Sequence, residues 1–483
     1  MKFPFLRAGA ALLLLPLVSA APRPATQPFT FPTLSTTLAA HPLQGAKPDP
    51  QVIAQFGLYE NAALQQYITK QGKQMTAISD RPGDYGFTIV DSPVINAFAT
   101  PDGHVYFTRG IMAYFNNEAQ FTGVLGHELG HITARHGQKQ QTRSTISSIL
   151  LGAASMASSR VAAIAQPLSS VVGVGLLKYG RDAENEADGL GVKYSSKIGY
   201  DASQMADFFL TLERTEKLSG AGGTPTFLST HPNSADRYER VKGLAAAQKR
   251  TLGNRTLTVN RDSYLRSIEG LPFGDDPRQG FVESNAFYHP DLKLQFPVPA
   301  GWKTQNTPEQ FQMAEPSGKA LMAFTAAGTG TPDAAAQALV KQLGLTATSS
   351  QATTLNGFSA LAVEGDQAAS DQQSTPAHVR AYLIQDGKTV YALIGLAPAA
   401  SFATYAPQFA SVAQGYQRLT DANKLNRQPE HVHVKTAASA TTLASAFAAA
   451  GVPSKRYEEL AILNGMQTTD RLSKGQLYKI VGK

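Results

Sequence analysis

Residues 118–136 read EAQFTGVLGHELGHITARH, and the five residues His127-Glu128-Leu129-Gly130-His131 inside this stretch decide what the surrounding chain has to build. Phe121, Val124, Leu125, Leu129 and Ile132 recur on or near one face at helical spacing, which predicts a helix packed into a core. Asn117 stands as its N-cap and Gln120 at the third helical position completes a capping box, so the helix should start near Glu118. On such a helix His127 and His131, at i and i+4, project from one face, and both imidazoles can reach a single zinc ion. Glu128 then sits beside the open coordination position. Histidine pairs also occur solvated on surface helices, but the apolar flanks bury this one, and a buried imidazole pair needs a partner.

A hydrolytic zinc site needs a third protein ligand and leaves the fourth position for water. The pattern HExxHxxGxxH would require Gly at 134 and His at 137; the residues are Ala134 and Gly137, and His136 is in the wrong register to replace the missing ligand. Downstream, residues 180–194 read GRDAENEADGLGVKY, placing Glu184 and Asp188 at i and i+4 on a second predicted helix. This is the ExxxD arrangement of gluzincins. Glu184 is the candidate third ligand, and Asp188 can accept a hydrogen bond from the distal nitrogen of a ligand histidine and orient it. Glu186 points to the far side of that helix and reads as a bystander.

Around this centre the chain has 483 residues, about three domains at roughly 150 residues each. It contains no cysteine, which excludes disulfide frameworks, thiolate metal sites, cysteine nucleophiles and cysteine-borne lipid anchors. Apolar residues make up 42% and charged residues 16%, an ordinary globular balance, and the formal net charge is +7. No basic cluster with interleaved aromatics suggests a nucleic-acid partner; the modest positive excess suits an anionic envelope surface. Residues 1–20 (MKFPFLRAGAALLLLPLVSA) read as a secretory signal peptide cleaved after Ala20, and 21–48 as a Pro/Thr/Ala-rich linker.

The expected fold class is α+β. Residues 49–268 form a mainly helical zincin-type domain with a small sheet from strands at 86–90, 94–100 and 104–108, the last two joined by a hairpin turn at Asp102-Gly103. Uncharged runs at 144–159 and 161–177 are too short to span a bilayer and read as a buried or capping helical hairpin, with peripheral membrane contact left open. A Gly/Pro/Asp-rich link at 269–282 leads to an α+β accessory domain at 283–420, with a hairpin at Asp386-Gly387 and a helix capped by Thr331 ahead of Pro332.

Four segments in order, VINAFATPDGHVYFTRGIM (94–112), GHELGHITARH (126–136), YGRDAENEAD (179–188) and THPNSADR (230–237), resemble the periplasmic BepA- and HtpX-like members of metallopeptidase family 48 over roughly residues 50–245. The resemblance implies one Zn2+ per chain held by His127, His131 and Glu184, with Glu128 as catalytic base. It also implies that the strand at Asn96-Ala97-Phe98 pairs with extended substrate. His231 would be a fourth ligand or a gate occupying the water position in a latent state, with Arg237 as its support. The implied protein is a periplasmic zinc endopeptidase acting on envelope or misfolded proteins, with the outer-membrane assembly machinery as a partner. The alternative is a chaperone-like or cell-wall-binding protein with latent proteolysis. HtpX-like relatives carry transmembrane helices and BepA-like ones tetratricopeptide repeats; neither pattern is found here. Residues 430–483 resemble a LysM module of βααβ order, which implies either a peptidoglycan-binding or a purely structural docking module; Ser439-Ala440-Thr441 stands where such modules carry Gly-Asp-Thr and weighs against glycan binding. His431 and His433 alternate on its first strand as surface residues, and His41, His104, His289 and His378 carry no motif.

Overall fold

The computed structural model describes residues 47–139, 179–219, 226–231, 237–368 and 376–483. The signal peptide, nearly all of the 21–48 linker, the apolar hairpin at 144–177 and Pro232 lie outside the described residues.

Helices α1 (Pro50–Phe56) and α2 (Ala62–Ala77) precede a three-stranded sheet of β1 (Gly86–Val90), β2 (Ala97–Ala99) and β3 (His104–Thr108), in the order β1-β3-β2. β1 runs parallel to β3 and β2 antiparallel to it. The hairpin between β2 and β3 turns through Gly103, whose φ of +104° only glycine adopts without strain. β2 is shorter than the expected 94–100. Asn96 lies just before it and still exchanges hydrogen bonds with Thr108, through Asn96 N to Thr108 Oγ1 and Thr108 N to Asn96 O.

After α3 (Arg109–Tyr114), the HExxH segment forms α4 (Glu118–Thr133), buried along its whole length from Glu118 to Ile132. Asn117 caps it by accepting from Gln120 N at 2.8 Å. The Gln120 side chain reaches back one residue further than a capping box requires, accepting from Asn116 N at 2.7 Å. The buried Glu118 carboxylate is satisfied by Tyr200, Asn260 and Ser263.

Helix α5 (Arg181–Lys197) packs along α4, and glycines set how closely. A Cβ on Gly126 would come within 2.9 Å of the Gly191 carbonyl oxygen, and one on Gly191 within 2.9 Å of His127 N. Gly130 faces Ala187 and Leu190 in the same way. Small residues thus let two backbones approach where ligands from both must converge. Helices α6 (Gln204–Ser219), α7 (Thr226–Thr230), α8 (Arg237–Thr251) and α9 (Arg261–Ser267) complete this part.

The accessory region carries a seven-stranded antiparallel sheet with the hairpin Ala377–Asp386/Thr389–Pro398 near its centre. Helix Pro332–Leu343, N-capped by Thr331, covers one face; helix Phe402–Gln414 and a four-stranded sheet cover the other. The C-terminal stretch runs strand Glu430–Thr436, helix Leu443–Ala449, helix Tyr457–Leu463, strand Leu477–Gly482, the outer strands pairing antiparallel. It shares one hydrophobic core with the HExxH region: Leu443, Phe447, Leu460 and Leu477 belong to the same buried cluster as Phe115, Phe121 and Phe208. Lys479, fully buried, donates from Nζ to the carbonyls of Ala113 and Phe115 at the end of α3. Among the described residues no helix is long and apolar enough to cross a membrane.

Candidate metal centre

Helical spacing on α4 and α5 and their glycine-mediated approach bring His127, His131 and Glu184 together, and His231, just past α7, joins them; one ligand atom from each lies within 4.8 Å of the others, and all four residues are buried. His127 Nε2 lies 3.1 Å from His131 Nε2 and 3.3 Å from His231 Nδ1, and Glu184 Oε1 is 3.0 Å from His231 Nδ1. Three imidazoles and a carboxylate, desolvated and converging, form a nitrogen/oxygen donor set of the kind zinc takes. The set fits the metal in a second respect. Both carboxylate oxygens of Glu128 and Oε2 of Glu184 are buried without a hydrogen-bond partner among the described residues, which is costly unless something else satisfies them.

Glu128 is fully buried, with His231 Nε2 at 3.6 Å. Burial pushes its carboxyl above the ordinary value, the nearby histidines opposing. Burial works in the same direction on Glu184, but His231, His127 and Arg237 overcome it and hold that carboxylate low. Desolvation, reinforced by His127 and His231, pushes His131 well below the usual imidazole value and keeps it neutral, the form a metal ligand needs.

Asp188 lies behind His127, accepting from its Nδ1 at 3.0 Å. Arg237 grips the same carboxylate with two prongs, Nε to Oδ2 at 2.9 Å and Nη2 to Oδ1 at 2.8 Å, and Arg240 adds Nη2 to Oδ2 at 2.5 Å. These partners outweigh burial and hold the Asp188 carboxyl far below the carboxylate range. Arg237 is itself buried, its guanidinium 3.9 Å from the centre of the Phe209 ring, and it also donates to the His231 carbonyl at 3.4 Å. Every expected ligand and support thus meets at one point. Ala97 and Phe98 lie on the edge strand β2, which packs beside α4, and Asn96 lies just before it.

Sequence reasoning missed several neighbours. Tyr179 stacks on His131 at 3.9 Å between ring centres and Phe227 on His231 at 4.6 Å, neither carrying a spacing signal. Arg240 is one helical turn beyond Arg237, so a second cation on that face was legible. Glu186 is not a bystander: its Oε2 lies 3.1 Å from His136 Nε2, because His136 folds back from the end of α4 toward that side of α5.

Residues 61–245 match peptidase family M48. The chain is 29% identical over 229 residues to the beta-barrel assembly-enhancing protease of Escherichia coli (strain K12), covering 44% of this chain and 45% of that protein. It is 29% identical over 165 residues to the mitochondrial metalloendopeptidase OMA1 of Bos taurus, covering 32% and 31%, and 26% identical over 212 residues to metalloprotease YcaL of Escherichia coli (strain K12), covering 42% and 82%. The chain thus spans less than half the length of the first two. Residues 61–245 thus match peptidase family M48 and are similar to part of the beta-barrel assembly-enhancing proteases, and they gather the HExxH and ExxxD residues into one buried donor cluster of the kind a zinc metallopeptidase uses.

Proposed function

We propose that this protein is a periplasmic zinc endopeptidase that hydrolyses peptide bonds of envelope or misfolded proteins, exported by a signal peptide over residues 1–20. The observation that carries the reading is the buried Glu128 carboxylate, with both oxygens unpartnered, beside the cluster of His127, His131, Glu184 and His231. Held by His127, His131 and Glu184, with a position left for water, zinc would supply a Lewis acid that polarises the scissile carbonyl and acidifies that water. Glu128 takes the proton from the attacking water and returns it to the leaving amine; burial, by raising its proton affinity, suits it to both roles. Asp188 holds His127 by its Nδ1, and Arg237 fixes Asp188. The edge strand at Asn96-Ala97-Phe98 offers backbone groups along which an extended peptide can lie. Replacing Glu128 by Gln keeps the size of the side chain and removes the base. The variant should bind zinc as wild type does and fail to cleave an unfolded outer-membrane protein; cleavage at the wild-type rate sinks the assignment.

A second reading is favoured by His231. Its Nδ1 faces Glu184 and His127, its Nε2 faces Glu128, and the short helix α7 just before it is tied to the segment leading into β2 through Phe227 N donating to Ile95 O. In this reading the protease is latent and His231 is its gate, while the accessory and LysM-like regions supply chaperone-like or peptidoglycan contacts. His231→Ala raises proteolysis if the residue is a gate and lowers it if the residue stabilises the transition state.

A further inference from the structure

His127 and His131 present the same face to the donor cluster: their Nε2 atoms lie 3.1 Å apart, so each turns Nδ1 outward. For His127 that outward nitrogen meets Asp188. For His131 it meets another histidine, with His136 Nδ1 at 3.0 Å, and His136 Nε2 in turn meets Glu186 Oε2 at 3.1 Å. A neutral imidazole has one N–H and one lone pair. If His131 offers its Nε2 lone pair inward, its proton is on Nδ1 and is donated to His136 Nδ1. His136 must then carry its own proton on Nε2 and donate it to Glu186. Only this direction satisfies all three groups with both histidines neutral.

We propose that His136 and Glu186 are positioning residues for the metal site, a two-step relay that fixes the tautomer and ring orientation of His131 as Asp188 does for His127. The inference rests on the zinc reading above. The two outer partners are unequal. Asp188 is a fully buried carboxylate in direct contact, whereas the charge behind His131 is one imidazole further away on a Glu186 side chain that is 54% exposed. Tyr179 restrains the face of the His131 ring, which leaves rotation within the ring plane for His136 to prevent. The site is therefore rigid on the His127 side and tunable from solvent on the His131 side.

The test uses the full chain and measures zinc affinity by chelator competition, with the ligand-field spectrum of the cobalt-substituted protein as a second readout. His136→Phe keeps a ring and removes the acceptor; outer-partner losses of this kind weaken metal binding about 10–100-fold, and the cobalt spectrum should shift. His136→Asn places an amide oxygen where Nδ1 was and should recover most of that loss. Zinc affinity of His136→Phe within twofold of wild type overturns the relay, as does an Asn variant no better than Phe, since packing alone would then account for His136. Should His136→Phe fail to fold, Glu186→Ala on the half-exposed end decides: a loss of about threefold or more is expected by the same reasoning, and unchanged affinity overturns it. A wild-type chain that binds no zinc refutes the zinc reading itself, and is distinguishable from all of these.

Discussion

Asp188→Ala probes whether the centre is held by its ligands or by the charges behind them. The carboxylate accepts from His127, twice from Arg237 and once from Arg240. Without it the buried Arg237 guanidinium keeps Glu184 Oε2, 3.4 Å away, as its remaining ion-pair partner among the described residues. Breaking a buried ion pair from one side costs about 3–5 kcal/mol, because the other charge stays buried. Losing the outer partner of a ligand histidine weakens zinc by about 10–100-fold, or about 1.4–2.7 kcal/mol. The apo domain should lose about 3–5 kcal/mol and the zinc-loaded domain about 4–8 kcal/mol, against total stabilities of about 5–15 kcal/mol. Asp188→Asn keeps an acceptor for His127 and should fall between. Urea unfolding, with and without a zinc chelator, measures both quantities through helical circular dichroism. The single tryptophan, Trp302, packs against Phe409 in the accessory region, so its fluorescence reports that region. An Ala variant within 1 kcal/mol of wild type in the apo state, with unchanged zinc affinity, would refute the reasoning.

Two further outcomes follow from packing and burial. Gly126→Ala puts a Cβ 2.9 Å from the Gly191 carbonyl and should destabilise by about 1–3 kcal/mol and weaken zinc binding, despite the better helix propensity of alanine. Gly189→Ala on α5, where a Cβ meets nothing within 4 Å, should instead stabilise by about 0.5–1 kcal/mol; denaturation midpoints of the pair that moved together would contradict the close-approach argument. In the accessory region, burial lowers the pKa of His289 to about 4, and its Nδ1 accepts from Leu292 N, which requires the neutral ring. The unfolded chain therefore takes up a proton near pH 6.5 that the folded one refuses until about pH 4. Stability is unaffected above 6.5, falls through that window by about 3–4 kcal/mol, and is constant in this respect below it. Trp302-monitored unfolding across pH 4–7 should lose this slope in His289→Gln.

Much of the centre was legible because the information is local. Two histidines four residues apart on a helix share a face whatever surrounds them, and so do Glu184 and Asp188. The start of α4, the strands at 86–90 and 104–108, and the helix after Thr331 follow from side-chain periods and caps within a few residues. The strand around Asn96 is shorter than the strand-like run at 94–100, because only Ala97 to Ala99 pair with β3. Glu186 was misjudged because its partner is 50 residues away in sequence, beyond any helical period.

The sequence by itself thus determined the donor types, their pairing on two helices, and the exclusion of cysteine chemistry. Only the tertiary structure decided that α4 and α5 approach through Gly126 and Gly191 closely enough to merge the two pairs. It also placed His231 among them, joined Asp188 to Arg237 and Arg240, and built the C-terminal stretch into the same hydrophobic core. The physical reason is that a helical period fixes which side chains share a face, whereas what that face meets depends on backbone contacts between segments tens to hundreds of residues apart.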